Sequence, residues 1–227
     1  MAATSRRWQL AGLIFVTLAC MACNPLMIPY FLLSDGLDPK ADPKFRLVKD
    51  DKKKPVKVVI FTSSPMVETR RELVGANREL AAAFAHQLQE GCKRNKENVI
   101  VASNTKVQQF QDKYPMWQSL SLEELGKRLE ADYVIDLEIN ELSLFDTRSQ
   151  DTLLGKATIS VTVVDVHRGD EGPVFHDVYV TEYPRSGSKA VMDTNLLQFR
   201  RAFLTRVAKD LSWLFTAHPA SEDYSCE

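Results

Sequence analysis

Asp136 and Glu138, two residues apart, are the nearest thing in this chain to a chemical device. Side chains of an extended strand alternate between faces, so the two carboxylates fall side by side. Such a pair performs general acid–base work when a cleft drives the two pKa values apart. Here Tyr133, Ile135, Leu137 and Ile139 alternate with them, which places the carboxylates on the polar, hydrated side of a strand. No nucleophile accompanies them. Ser63 and Ser64 follow an apolar run but precede Pro65, where a nucleophile elbow needs glycine, and they read as turn chemistry. His167 and His176 flank a turn, with Asp165 and Asp177 nearby; two imidazoles and a carboxylate can hold zinc, yet this spacing is no known ligand pattern. His86 reads as a boundary residue of a helix. The 9 glycines are scattered, and none builds a phosphate-cradling loop. The expectation is a non-enzymatic chain with no catalytic residue, no cofactor and no metal.

Charge narrows the partners. Among 227 residues, 29 are basic and 30 acidic, for a formal net charge of -1. Duplex binders show a basic stripe, so nucleic acid is not an expected partner.

The N-terminus carries chemistry of a different kind. Arg6 and Arg7 precede an apolar run over residues 10–18, and small residues then precede Cys20 and Cys23. A charged start, an apolar stretch and a small residue before the cut are the grammar of an export signal. With cysteine after the cut, the stretch resembles the lipobox of bacterial lipoproteins. That resemblance implies a thiol carrying a diacylglyceryl group, cleavage before it, and acyl chains of the palmitate kind as the membrane anchor. Either Cys20 or Cys23 fits: residues 17–19 suit the first, and Asn24-Pro25 breaks the apolar run after the second. The competing reading is an uncleaved spanning helix over residues 8–33, which Pro25 and Pro29 oppose because each removes a hydrogen bond that lipid cannot replace. Residues 1–23 are therefore expected to be a signal peptide, and 24–55 an apolar segment and charged tether. A globular domain is expected over 56–215 and a loose tail over 216–227, all on the extracytoplasmic, periplasmic side. Cys92 reads as a buried thiol and Cys226 as part of the tail.

The elements that must position any site follow from periodicity. Val58, Val59, Ile60 and Phe61 form a buried strand. A helix over 68–94 carries Leu73, Ala76, Leu80, Phe84, Leu88 and Cys92 as one stripe. A short strand over 99–101 leads to a helix capped by Ser103 or Asn104 and ended by Pro115. Ser121-Leu122-Glu123-Glu124 matches a capping box. Strands over 131–140, 158–163 and 177–181 alternate, with the last two joined by a turn at 168–173. Valines 178 and 180 are expected to point inward and Tyr179 outward. A helix over 194–215 closes the domain. The fold class is α+β, written equally as α/β: a two-layer sandwich in which helices cover one face of a mixed sheet.

This order, and above all the passage from Leu122 through Ala131-Asp132-Tyr133 to Ile135, resembles a group of bacterial envelope lipoprotein domains. The group comprises the N-terminal domain of the TolB protein, the curli-export lipoprotein and the lipoprotein activators of penicillin-binding proteins. The resemblance implies a module that binds other envelope proteins, assembles with copies of itself, or both. Asp136, Glu138, Asn140, Thr158, Thr162 and Tyr179 are the expected partner face, because they share the polar side of the sheet and tyrosine favours interfaces. Trp117 is a second candidate contact, and Trp213 belongs to the last helix. Two alternatives stay open. One is a ligand-binding or hydrolytic domain with a pocket of Asp136, Glu138 and a histidine. The other is a component of an envelope export or transport complex; the amphipathic membrane hairpin such a protein usually carries has one candidate here, residues 143–155, which is too short and polar.

Overall fold

The computed structural model describes residues 40–48, 54–64, 71–168, 171–185, 187, 189–190 and 195–221. Cys20, Cys23, Cys226 and the whole expected signal peptide lie outside the described residues. The chain divides into two compact units, residues 41–218 with 224–227 and residues 1–40 with 219–223. Of the latter only Lys40 and residues 219–221 are described. The former holds the main sheet and the long helices.

Its sheet contains β1 (Val56–Ser63), β2 (Val99–Val101), β3 (Tyr133–Asp146), β4 (Ser149–Asp165) and β5 (Phe175–Tyr183) in the order β2-β1-β3-β4-β5. A short β6 (Lys189–Ala190) also pairs with β4. The pairs β1–β2 and β1–β3 are parallel, while β3–β4 and β4–β5 are antiparallel. The sheet is therefore mixed and the class α+β, as the alternation required. Parallel strands need crossovers, which α1 (Ala76–Arg94), α2 (Asn104–Lys113) and α3 (Leu122–Leu129) supply. The last helix, α4, runs Leu196–Trp213.

On the inner face, Val58, Ile60, Tyr133, Ile135, Leu137 and Ile139 pack with Leu80, Phe84 and Leu88 of α1 and Phe203, Val207 and Leu211 of α4. β1 is apolar on both sides because it is buried on both sides. Val59 and Phe61, with Val134, meet Val107 and Phe110 of α2 and Leu125 and Leu129 of α3 on the outer face. The two long helices thus share the inner face, and the two short ones cover the parallel end of the outer face, so helices lie on both faces, where the alternation implies one alone. β3, β4 and β5 leave most of that face open, as does β2 at Ile100, which is 49% exposed.

Local chemistry sets the boundaries. Ser103 caps α2, accepting from the Lys106 amide, and Asn195 caps α4, accepting from Leu197 and Gln198. The capping box forms: Ser121 Oγ accepts from the Glu124 amide at 3.2 Å, and Glu124 accepts from the Ser121 amide at 3.4 Å. α1 begins at Ala76, after a 3-10 turn over Arg71–Leu73, and Gly75 at φ 75° makes the bend between them.

Three expectations need amending. The later part of the tether is packed, not extended: Leu47 is 1% exposed and the Phe45 amide donates to Leu214 O. Phe45 meets the rings of Tyr133, Phe175 and Phe215, so this short stretch has enough apolar surface to dock. Packing also continues past Phe215. Thr216 and His218 are buried, and His218 stacks on Trp213 with centroids 4.3 Å apart. Finally, the expected strand over 131–140 extends to Asp146 and turns back at Ser149 as a long hairpin. Leu142, Leu144 and Leu153 lie buried in the core, while Thr147, Arg148 and Asp151 are exposed around the turn. Among the described residues no helix is long and apolar enough to cross a membrane.

Candidate functional site

The hairpin register decides which expected partner residues share a surface. Asp136 pairs with Thr162 and Glu138 with Ser160 across β3–β4, all on the outer face. A register shift between Ile139 and Glu141 leaves Asn140 without an opposite residue, and its amide donates to Ser160 Oγ at 2.7 Å. Thr158 continues the row, and Thr162 hydrogen-bonds His176 Nδ1 at 3.1 Å. Five of the six expected residues, Asp136, Glu138, Asn140, Thr158 and Thr162, therefore do lie on one open face.

Tyr179 does not. It pairs with Ile159, which is wholly buried on the inner face, and its hydroxyl donates to Asp210 Oδ2 of α4 at 2.7 Å. Burial, then the nearby Asp210 charge, push its pKa far above the ordinary phenol value. The reason is area. Inward-facing odd positions of β5 bury much of Phe175, Tyr179 and Tyr183, and an aromatic ring hides about 150–250 Å², well beyond what two valines offer. The even positions turn outward instead, leaving Val178 51% and Val180 67% exposed beside His176 and Glu182. Sequence alternation fits either parity. The aromatic spacing at 175, 179 and 183 was the signal that could have decided it.

At its parallel end the open face falls into a cleft of about 840 Å³ beyond the C-terminal end of β1. Ser63 and Ser64, Arg78 of α1, Asp112, Trp117 and Leu122 line it, with Asp136 and Glu138 on its floor. Asp136 adjoins Phe61 in the sheet, and Phe61 stacks on Trp117 with centroids 5.3 Å apart. Burial against these rings, followed by the Glu138 charge, raises the Asp136 carboxyl to about 6. Trp117 is thus partly a packing residue. No histidine lines this cleft.

The histidines go elsewhere. His167 Nε2 lies 2.8 Å from Asp132 Oδ1, and the other Asp132 oxygen accepts from the Lys57 amide at 2.7 Å. The Lys57 carbonyl accepts in return from the Asp132 amide at 2.8 Å. His176 bonds Thr162, and Asp177 pairs with Lys44 at 2.6 Å, so His167 and His176 do not converge. His86 is exposed. Among the described residues no group of three or more His, Cys, Asp or Glu side chains is placed to hold a metal. Cys92 is buried and its thiol is pushed up to about 12 by burial, then by Glu97, which makes it a packing residue and not a nucleophile.

No family model and no curated protein matches the chain. It is similar to solved structures of bacterial proteins, lipoproteins among them. Lipoprotein GNA1162 from Neisseria meningitidis shares 14% identity at a TM-score of 0.42, over 68% of this chain and 99% of that one. Protein XCC0632 from Xanthomonas campestris shares 13% identity at 0.43, over 76% and 91%. A PelC dodecamer from Paraburkholderia phytofirmans shares 13% at 0.38, over 68% and 87%. At TM-scores below 0.5 these likenesses transfer neither activity nor partner to this chain.

Proposed function

We propose that the chain is a lipid-anchored, non-enzymatic protein of the bacterial envelope whose packed unit docks onto another envelope protein through the open face of β3, β4 and β5. The observation that carries it is the pair Val178 and Val180, 51% and 67% exposed on that face. Beside them, on β4 and β3, stand short polar groups: Thr158 opposite Val180, Thr162 bonded to His176, and Asn140 bonded to Ser160. An exposed apolar pair beside a row of short polar groups is a surface that a protein partner can bury. The anchor is supported by Cys20 and Cys23 after the apolar run, and the envelope reading by the resemblance carried from Leu122 to Ile135.

The test uses the full chain in cells, with a photoreactive side chain at Thr158 or, as control, at Arg201, an exposed position of α4. Adducts with an envelope protein from position 158 and not 201 are the expected result. Equal adducts from both, or none, overturn the docking reading. Intact mass tests the anchor separately: Cys20→Ser or Cys23→Ser should abolish both cleavage and acylation, and a full-length mass unchanged by either removes it.

The cleft over Asp136 favours a second reading, a small polar ligand held between Arg78, Asp112 and the two carboxylates. Asp136 near a pKa of about 6 is both a donor and an acceptor at mildly acidic pH. Ligand-induced shifts confined to Trp117 fluorescence would support it, and none across a panel of polar metabolites would count against it.

A further inference from the structure

The outer edge of β5 leads beyond the docking face. β5 is 9 residues long and terminal in the sheet, and among the described residues no strand pairs with its outer edge. Long exposed edges are normally blunted by proline, lysine or a bulge. β5 contains no proline and no basic residue other than His176, and its ladder with β4 runs from Tyr183 to Phe175 without a register shift.

We propose that β5 pairs edge to edge with β5 of a second copy of this chain, antiparallel, about a two-fold axis through Tyr179. Tyr179 is the midpoint of the strand, so this register uses its whole length. On the outer face it sets Val178 of each copy against Val180 of the other. It also sets His176 against Glu182, whose carboxylate already meets Lys156 at 2.9 Å. The cross-sheet row on either side of the axis then runs Thr162, His176, Glu182 of the second copy, Lys156 of the second copy. On the inner face Asp177 meets Thr181 and Phe175 meets Tyr183. Sliding the axis to Val180 puts Val178 opposite Glu182, and sliding it to Val178 puts Val180 opposite His176; both also shorten the ladder. A slip that changes parity turns the valines against the inner face. The Tyr179 register alone pairs apolar with apolar and base with acid. It also joins the two open faces into one continuous surface.

This pairing does not depend on the identity of any docking partner. It is tested with the full-length chain in detergent, in a Cys226→Ser background. Directly opposed residues of an antiparallel pair have Cα atoms about 4.5–5.5 Å apart, inside disulfide range, whereas diagonal ones do not. Oxidising an equal mixture of Val178→Cys and Val180→Cys chains, one enlarged by a tag, should give a mixed-size disulfide dimer, and each variant alone should give little. A mixture that cross-links no better than either variant alone overturns the proposal. Val180→Lys, on the outer face, should leave thermal unfolding of the protomer intact and shift the light-scattering mass from dimer to monomer. A wild-type chain that is monomeric at every concentration overturns it equally.

Discussion

Tyr179 Oη donates to Asp210 Oδ2 across 2.7 Å, tying the edge strand to the last helix. The same carboxylate lies 2.9 Å from Arg206 Nε and 3.6 Å from Arg185, and Asp210 is 6% exposed. The phenol therefore bonds a buried charge. Hydrogen bonds to charged groups contribute about 1.5–3 kcal/mol. Tyr179→Phe should lower unfolding free energy by about 2 kcal/mol in urea titration while the fold persists. A change below about 0.5 kcal/mol, the usual scatter at surface sites, would mean that the bond contributes nothing.

Gly126 is where α3 rests on the sheet. A Cβ there would stand 2.3 Å from Val166 Cγ2 and 2.8 Å from Val134 Cγ2. Overpacking of this kind costs about 1–3 kcal/mol, more than the helix gains from alanine. Gly126→Ala should destabilise by that amount, and adding Val166→Ala should recover part of it. If the double variant is no better than the sum of the two singles, the contact is not the cause.

Asp132 explains why the Ala131-Asp132-Tyr133 passage is so legible. Glu130 ends α3 in the left-handed region at φ 56°, Ala131 is buried, and Asp132 fastens the incoming strand to Lys57 and His167. Burial works to raise its pKa, but the Lys57 amide and His167 outweigh it and the net shift is downward. A carboxyl held below its unfolded value stabilises above that unfolded value and loses the contribution as pH falls through the folded one. Asp132→Ala should therefore cost about 1.5–3 kcal/mol at neutral pH. The gap to wild type should shrink in acid, below the ordinary carboxylate range. A gap constant from pH 7 to pH 2 would disprove this assignment.

The elements written in local code were readable: the capping box at Ser121, the stripe of α1, and the alternation of β3. What escaped depended on competition between segments far apart. Phe45 and Leu47 look like isolated apolar residues in a charged tether until Phe45 meets Phe175 and Phe215 and Leu47 joins the main core. The parity of β5 is ambiguous from period alone, because Val178 and Val180 satisfy an inward reading as well as Tyr179 does. Only α4, arriving with Asp210, settles it. The carboxylates of β3 read as a hydrated pair from alternation alone, whereas the cleft around Asp136 comes from α2 and α3 folding over the parallel end. Strand alternation says nothing about that.

Asp136 provides the sharpest pH signature. Its folded value of about 6 lies above the ordinary 3.8, first because it is buried beside Phe61 and then because Glu138 adjoins it. Arg78 and Asp112 are the other charged groups lining the same cleft. Between about pH 4 and 6 the folded chain holds a proton that the unfolded chain has released. Stability contributed by this site therefore rises as pH falls through 6 and levels off near 4, the reverse of Asp132. A shift of about two units corresponds to at most about 3 kcal/mol, less after solvent screening in an open cleft. Asp136→Asn removes the buried charge while keeping the shape. It should raise the unfolding free energy at pH 7.5 by about 1–2 kcal/mol and flatten the profile from pH 4 to 6.5. Glu138→Gln should do less, because it removes only the second of the two causes. The measurement is urea unfolding of the full-length chain at half-unit pH steps. An Asp136→Asn profile parallel to wild type throughout would show that the carboxyl is hydrated in solution, and the cleft would then offer a ligand no protonated donor.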